Sequence, residues 1–170
     1  YETVSLPYSV SFMSGLDKFV VEGDALWTSD SRYGAKATAG SKVEKESWLV
    51  SPLFDMTSAS NPKMSFEHAG KFFGTLADEA TLWEREEGGD WQQVTIPKYF
   101  TNSDWNYVAV EIDLSSYTGK KVQFGFKYVS TTTAYGTWEI KNLSLTAENA
   151  TVETAKAANI KELVALETGT

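Results

Sequence analysis

Cysteine is absent from this chain. That excludes disulfides, thiolate metal sites and cysteine nucleophiles, and it leaves the compartment open. Histidine occurs once, as His68. A single imidazole excludes a multi-histidine zinc site and leaves no second base for a catalytic triad. There is no Gly-x-Ser-x-Gly elbow and no phosphate-binding glycine loop. No run is long and apolar enough to cross a membrane as a helix, no internal repeat stands out, and no segment is of low complexity. Positive charge is scarce: 15 Lys and Arg stand against 23 Asp and Glu, a formal charge of −8. An acidic surface repels phosphate backbones and anionic membranes, so neither is expected as a partner. The charge itself serves solubility.

What is present is a substantial apolar load. The 170 residues are 42% hydrophobic and 14% aromatic. A chain of this length buries roughly 70% of the surface its unfolded form exposes, so one domain with a real core is expected. Residues 105–145 organise it. Val108, Val110, Ile112 and Leu114 alternate with Ala109, Glu111 and Asp113; after a turn, Val122, Phe124, Phe126 and Tyr128 alternate with Gln123, Gly125 and Lys127. Period-two alternation of this length marks half-buried antiparallel strands.

Shorter strands are expected at residues 6–12, 17–23, 33–39, 64–69 and 80–86. Residues 47–55 are apolar on both faces and are expected to form a covered strand broken at Pro52. Glu87-Gly88-Gly89-Asp90 is the strongest hairpin signal, because glycine supplies the positive φ of tight turns. Ala25-Leu26-Trp27 is followed by a polar turn, Ser29-Asp30-Ser31-Arg32, and residues 70–79 read as irregular. The reading is all-β: a jelly-roll antiparallel β-sandwich over residues 1–147 with a short C-terminal helix. From Asn149 the period changes, and Ala157, Ile160, Leu163 and Val164 fall at helical spacing. Residues 148–170 are therefore expected to be a linker helix leading to a further, missing C-terminal domain. The chain starts without methionine or a signal-peptide pattern, and is expected to be a piece of a larger protein.

Four stretches carry a family resemblance: Ser47-Trp48-Leu49-Val50-Ser51-Pro52-Leu53-Phe54-Asp55; Met64-Ser65-Phe66-Glu67-His68-Ala69; Trp105 through Val110 with Asp113-Leu114-Ser115-Ser116-Tyr117-Thr118-Gly119-Lys120-Lys121-Val122-Gln123-Phe124; and Trp138-Glu139-Ile140-Lys141-Asn142-Leu143. In order and spacing they resemble the choice-of-anchor J domains, relatives of MAM and cleaved-adhesin sandwiches. The resemblance implies a module of an exported bacterial surface protein, serving adhesion, glycan binding or an accessory role. Residues 6–23 look most like versions in outer-membrane lipoproteins of gut Bacteroidota, and the tail from Ala158 looks like the lead-in to an OB-fold domain. Related sandwiches often hold calcium with acids near the first strand and in the closing motif. Here Met13 and the pair Lys141-Asn142 stand at those places, and a lysine ammonium repels a cation. No metal and no cofactor is expected.

His68 shares strand spacing with Met64 and Phe66 and reads as a satisfied core or rim histidine. Acids at Asp78, Glu79, Glu84, Glu86, Glu87 and Asp90 read as solvated turns. No two carboxylates are singled out for the separation of about 5–10 Å that glycoside hydrolysis needs, so no enzyme is expected. Most aromatics must be core. Rings in loops are the exceptions: Phe72 and Phe73 between two glycines, Tyr99 and Phe100 after Pro97, and Tyr135 before Gly136. A sugar offers a flat face of C–H groups, so a glycan site needs an exposed ring with polar groups nearby. Tyr33, Lys71, Phe72, Phe73 and Tyr135 are the candidate ligand-binding residues. The expected partners are a glycan or a surface protein, and a neighbouring domain of the same chain. The rival reading is a structural spacer that positions a neighbour, its loop rings merely plugging the sandwich; a glycoside hydrolase accessory domain is a weaker third.

Overall fold

The computed structural model describes residues 1–149. The expected C-terminal helix lies outside the described residues. Within them the strands run β1 (Thr3–Ser5), β2 (Tyr8–Val10), β3 (Val20–Gly23), β4 (Thr28–Asp30), β5 (Gly34–Thr38), β6 (Lys45–Val50), β7 (Leu53–Asp55), β8 (Lys63–Lys71), β9 (Ala80–Glu86), β10 (Gln92–Val94), β11 (Val108–Asp113), β12 (Lys121–Ser130) and β13 (Thr137–Thr146). One helical turn, α1 (Leu76–Glu79), precedes β9, and a 3-10 turn, Ser115–Tyr117, precedes β12. The strand β4 lies where the sequence reads as the start of a polar turn, and β1 and the turn α1 lie where it is silent or irregular, since each is too short to show a period.

Two antiparallel sheets result. In the first, β12 is central, with β9 and then β10 on one side and β6 and β7 end to end on the other. The break between β6 and β7 falls at Ser51-Pro52, as the proline predicts. Beyond them lie β3 on β6 and β1 on β7, the latter a parallel pair. In the second sheet β13 is central, with β8 and β11 on one side and β5 and β2 on the other, and β4 outside β5. A register shift between Lys141 and Ser144, with Asn142 at φ 53°, lets β13 pass from β5 to β2.

The core lies between the sheets. Val122, Phe124, Phe126 and Tyr128 of β12 face Met64, Phe66 and His68 of β8 and Trp138, Ile140, Leu143 and Leu145 of β13. Rings cross the gap edge to face: Phe66 on Phe126 at 5.3 Å, and Phe126 on Trp138 at 5.8 Å. Each such buried side chain contributes about 1.5–3 kcal/mol, so the layer contact holds the sheets together.

His68 is fully buried, as a satisfied core histidine. The Trp138 indole N–H donates to its Nδ1 at 3.1 Å, which leaves Nε2–H to donate to the Lys98 carbonyl at 2.8 Å. One tautomer alone satisfies both partners. The acidic turn residues are not all solvated. Glu79 is buried, accepting the backbone N–H groups of Gly74 and Thr75. Glu84 is 7% exposed, with Oε2 unpartnered, and burial pushes its carboxyl above the ordinary range. Its position in β9 faces Phe124 across the ladder, on the core side, which charge and turn proximity do not reveal.

Candidate functional site

At one end of the sandwich four loops surround an open apolar cleft of about 370 Å³, lined by Lys42, Phe72, Thr133, Ala134, Tyr135 and Thr137. Each wall is tied to the core by a specific bond. The loop after β5 is held where the Ser130 hydroxyl donates to the Val43 carbonyl at 2.6 Å. The loop from β12 to β13 folds on the Thr131 hydroxyl, which accepts the N–H groups of Thr133 and Ala134. At its end the buried Tyr128 hydroxyl donates to the Gly136 carbonyl at 2.6 Å, while accepting the Ala39 N–H. Such side-chain bonds to backbone groups fix a loop that has no ladder of its own.

The loop after β8 carries the central ring. Phe72 has φ 72° and is 60% exposed. For a bulky residue the left-handed region costs about 1–2 kcal/mol, so something must hold it. Asn102 does: its amide donates to the Phe73 carbonyl, and its Oδ1 accepts the Phe73 N–H, both at 2.9 Å. Phe73 itself is 6% exposed, packed against Tyr128 and Phe100. Its ring lies so close over Gly136 that any Cβ there would collide with it. With Phe73 anchored inward on both backbone and side chain, Phe72 is turned out to solvent. Trp105, 42% exposed, meets it edge to face at 6.0 Å, and the Lys71 ammonium lies 5.0 Å from its ring centre.

Of the expected binding residues, the structure therefore brings Lys71, Phe72 and Tyr135 together. Phe73 is corrected: it is a core ring and the anchor of the loop, so its face is not open to a ligand. Tyr33 is also elsewhere. It precedes β5 at the end remote from the cleft, about 16 Å of strand away from Thr38. There its carbonyl accepts the Tyr107 hydroxyl, on the outer face of the second sheet. Phe100 is buried, and Tyr99 is half-buried, donating to the Ala80 carbonyl. Trp105, Lys42, Thr133 and Thr137 join the site without being expected. Trp105 opens the strand-rich region in the sequence, and its loop is brought to the cleft by the Asn102 clamp on residues 71–73 and by the His68 bond to the Lys98 carbonyl.

A second aromatic cluster covers the outer face of the first sheet. Trp48 of β6, Trp83 of β9 and Trp91 before β10 lie over Gly125 of β12, where a Cβ would come within 2.8 Å of the Trp48 ring. Trp91 stacks on Trp48 at 5.0 Å and 26°. Arg85 lies 4.3 Å from the Trp91 ring centre, with its Nε–H donating to Gln123. Lys127 stands 5.5 Å from Trp48 and 5.4 Å from Trp83 and pairs with Glu46. The indoles are half-buried by these neighbours, and Trp48 and Trp91 in turn cover Gly125.

No family model matches the chain, and no curated protein matches it. Solved structures do share its architecture. The K3 cleaved adhesin domain of Lys-gingipain from Porphyromonas gingivalis W83 aligns with a TM-score of 0.56 at 12% identity, over 82% of this chain and 97% of that one. The K1 cleaved adhesin domain of the same protein aligns at 0.51 and 12%, over 84% and 98%. TmCBM61, solved in complex with beta-1,4-galactotriose, aligns at 0.53 and 15%, over 81% and 94%. At these identities the likeness is one of fold: this chain forms a β-sandwich of the kind that cleaved-adhesin domains and carbohydrate-binding modules share.

Proposed function

We propose that this chain is a non-catalytic binding module that holds a glycan, or a glycosylated surface, in the cleft around Phe72. The observation that carries the reading is an aromatic ring kept in solvent at the expense of backbone strain. Strain of this kind persists where the surroundings over-determine it, and it gathers at ligand sites. The site supplies what a sugar needs: exposed rings at Phe72 and, beside it, Trp105, the half-buried ring of Tyr135 in the lining, and hydroxyl groups at Thr133 and Thr137. The bound galactotriose of TmCBM61, a neighbour in fold, agrees with the ligand class. No hydrolytic role is included, because the two carboxyls raised by burial, Glu84 and Glu139, do not line the cleft. The module belongs, in this reading, to an exported bacterial surface protein of the choice-of-anchor J kind, a Bacteroidota lipoprotein, with residues 148–170 leading to a further domain.

A glycan array with the parent, Phe72→Ala and Tyr135→Ala tests this. The parent is expected to retain at least one glycan, and each variant to weaken that signal about tenfold, the worth of one stacking ring. A parent that retains none favours the spacer reading, to which the burial of Phe73 and Phe100 at the same end of the sandwich also points.

A further inference from the structure

Four other clefts on the described residues are lined by carboxylates: Asp55 in one, Glu67 and Glu111 in another, Asp24, Glu44 and Glu46 in a third, and Glu87 in a fourth. A chain with a formal charge of −8 is expected to look so. The cleft at Phe72 differs. No carboxylate lines it, and its one charged lining residue is Lys42. Lys71 adds a second ammonium at the rim, beside the Phe72 ring. Neither lysine has a carboxylate within 4.0 Å among the described residues, where the ion pairs use Lys18, Lys63, Lys120 and Lys127.

We propose that the cleft selects an acidic sugar residue. Its C–H face rests on Phe72 and Tyr135, and its anionic group meets the ammonium groups of Lys42 and Lys71. The inference rests on the reading of the cleft as a glycan site. The overall acidity does not oppose it, because at physiological ionic strength charges beyond about 8 Å are largely screened. Within that range of the cleft the Glu79 carboxylate also lies, close to Ala134, but it is buried and held by the N–H groups of Gly74 and Thr75, whereas Lys42 and Lys71 have no carboxylate partner among the described residues. Lysine is a compact point charge and lacks the planar fork that arginine offers a carboxylate. The shared chemistry is therefore an anion on a sugar ring, either carboxylate or sulfate.

Calorimetric titration with three probes tests it: polygalacturonate for the carboxylate, a sulfated galactan for the sulfate, and neutral beta-1,4-galactan. The expected result is that at least one acidic probe binds more tightly than the neutral one, and that added salt weakens it. The double variant Lys42→Gln, Lys71→Gln is expected to weaken that binding at least about tenfold, with its melting unchanged. The control Lys121→Gln, Lys141→Gln, which alters two lysines away from the cleft, is expected to bind like the parent. Neutral galactan bound as tightly as the acidic probes, and indifferent to the first double variant, overturns the acidic preference and leaves the glycan site standing. Equal loss in both double variants overturns it too, by showing diffuse charge attraction. Failure of all three probes, together with an empty glycan array, overturns the glycan site itself.

Discussion

The tryptophan layer on the outer face of the first sheet and the cleft at the end of the sandwich use the same kind of side chain in opposite ways. In the layer, Trp91 has Trp48 on one side and Arg85 close by, while Lys127 stands near both Trp48 and Trp83. These rings are half-buried by other side chains of the protein, and the gain is cover for Gly125. In the cleft, Phe72 spends conformational energy to stay in solvent. Phe12 sharpens the contrast: it has φ 66°, close to that of Phe72, but is fully buried, so its strain is offset by packing. A wealth of aromatic residues therefore does not mark a site. The proposed site rests instead on an exposed ring whose backbone is held in a costly conformation.

The largest expected effect separates the two regions by pH. Burial pushes the His68 pKa down to about 4 from the ordinary 6.5, partly countered by its bond to the Lys98 carbonyl. A lowered base pKa means that the fold prefers neutral imidazole. Stability is complete above pH 6.5, declines as the unfolded chain takes up a proton between pH 6.5 and 4, and is flat for this group below that. The loss is about 3 kcal/mol. It is expected at the cleft, because His68 holds the loop that carries Asn102 and Trp105. Hydrogen exchange at pH 5 against pH 7 should show residues 98–105 opening before residues 81–85 and 46–50, and His68→Gln should flatten the difference. Simultaneous opening of both regions breaks the distinction.

Next comes Trp48→Ala, expected to cost about 2–3 kcal/mol in urea unfolding, below the full-core range because the ring is half exposed. It should leave glycan binding untouched. Loss of binding with little loss of stability would make the layer a site in its own right. Gly136→Ala is expected to cost about 1–3 kcal/mol, since the Phe73 ring occupies the place of the new methyl group. Here binding should fall as well, because Phe73 is what turns Phe72 outward.

Much of this architecture is legible from side-chain alternation. The buried faces of β11 and β12 are those that residues 108–128 mark out, and Pro52 divides β6 from β7 as expected. The outer face of β12 is less legible: Gly125 is covered by Trp48 and by an indole that arrives from Trp91, thirty-four residues earlier in the chain's numbering. The site is legible only in part. Paired phenylalanines between glycines mark a loop worth attention, but nothing local tells Phe72 from Phe73. That choice is made by Asn102, and by the lack of a side chain at Gly136, both remote in sequence. Tyr33 fails as a site residue for a related reason. Its strand register carries it to the far end of β5, and register is a property of the partners.

The most direct measurement pairs melting and glycan binding for Phe72→Gly. Glycine enters the left-handed region freely, which relieves about 1 kcal/mol of strain, but it also loosens the unfolded chain by a similar amount. The account predicts a melting temperature equal to or above that of the parent and binding weakened about tenfold or more. A variant that melts well below the parent while binding as before would show that Phe72 serves the fold and not a ligand, and would contradict the account.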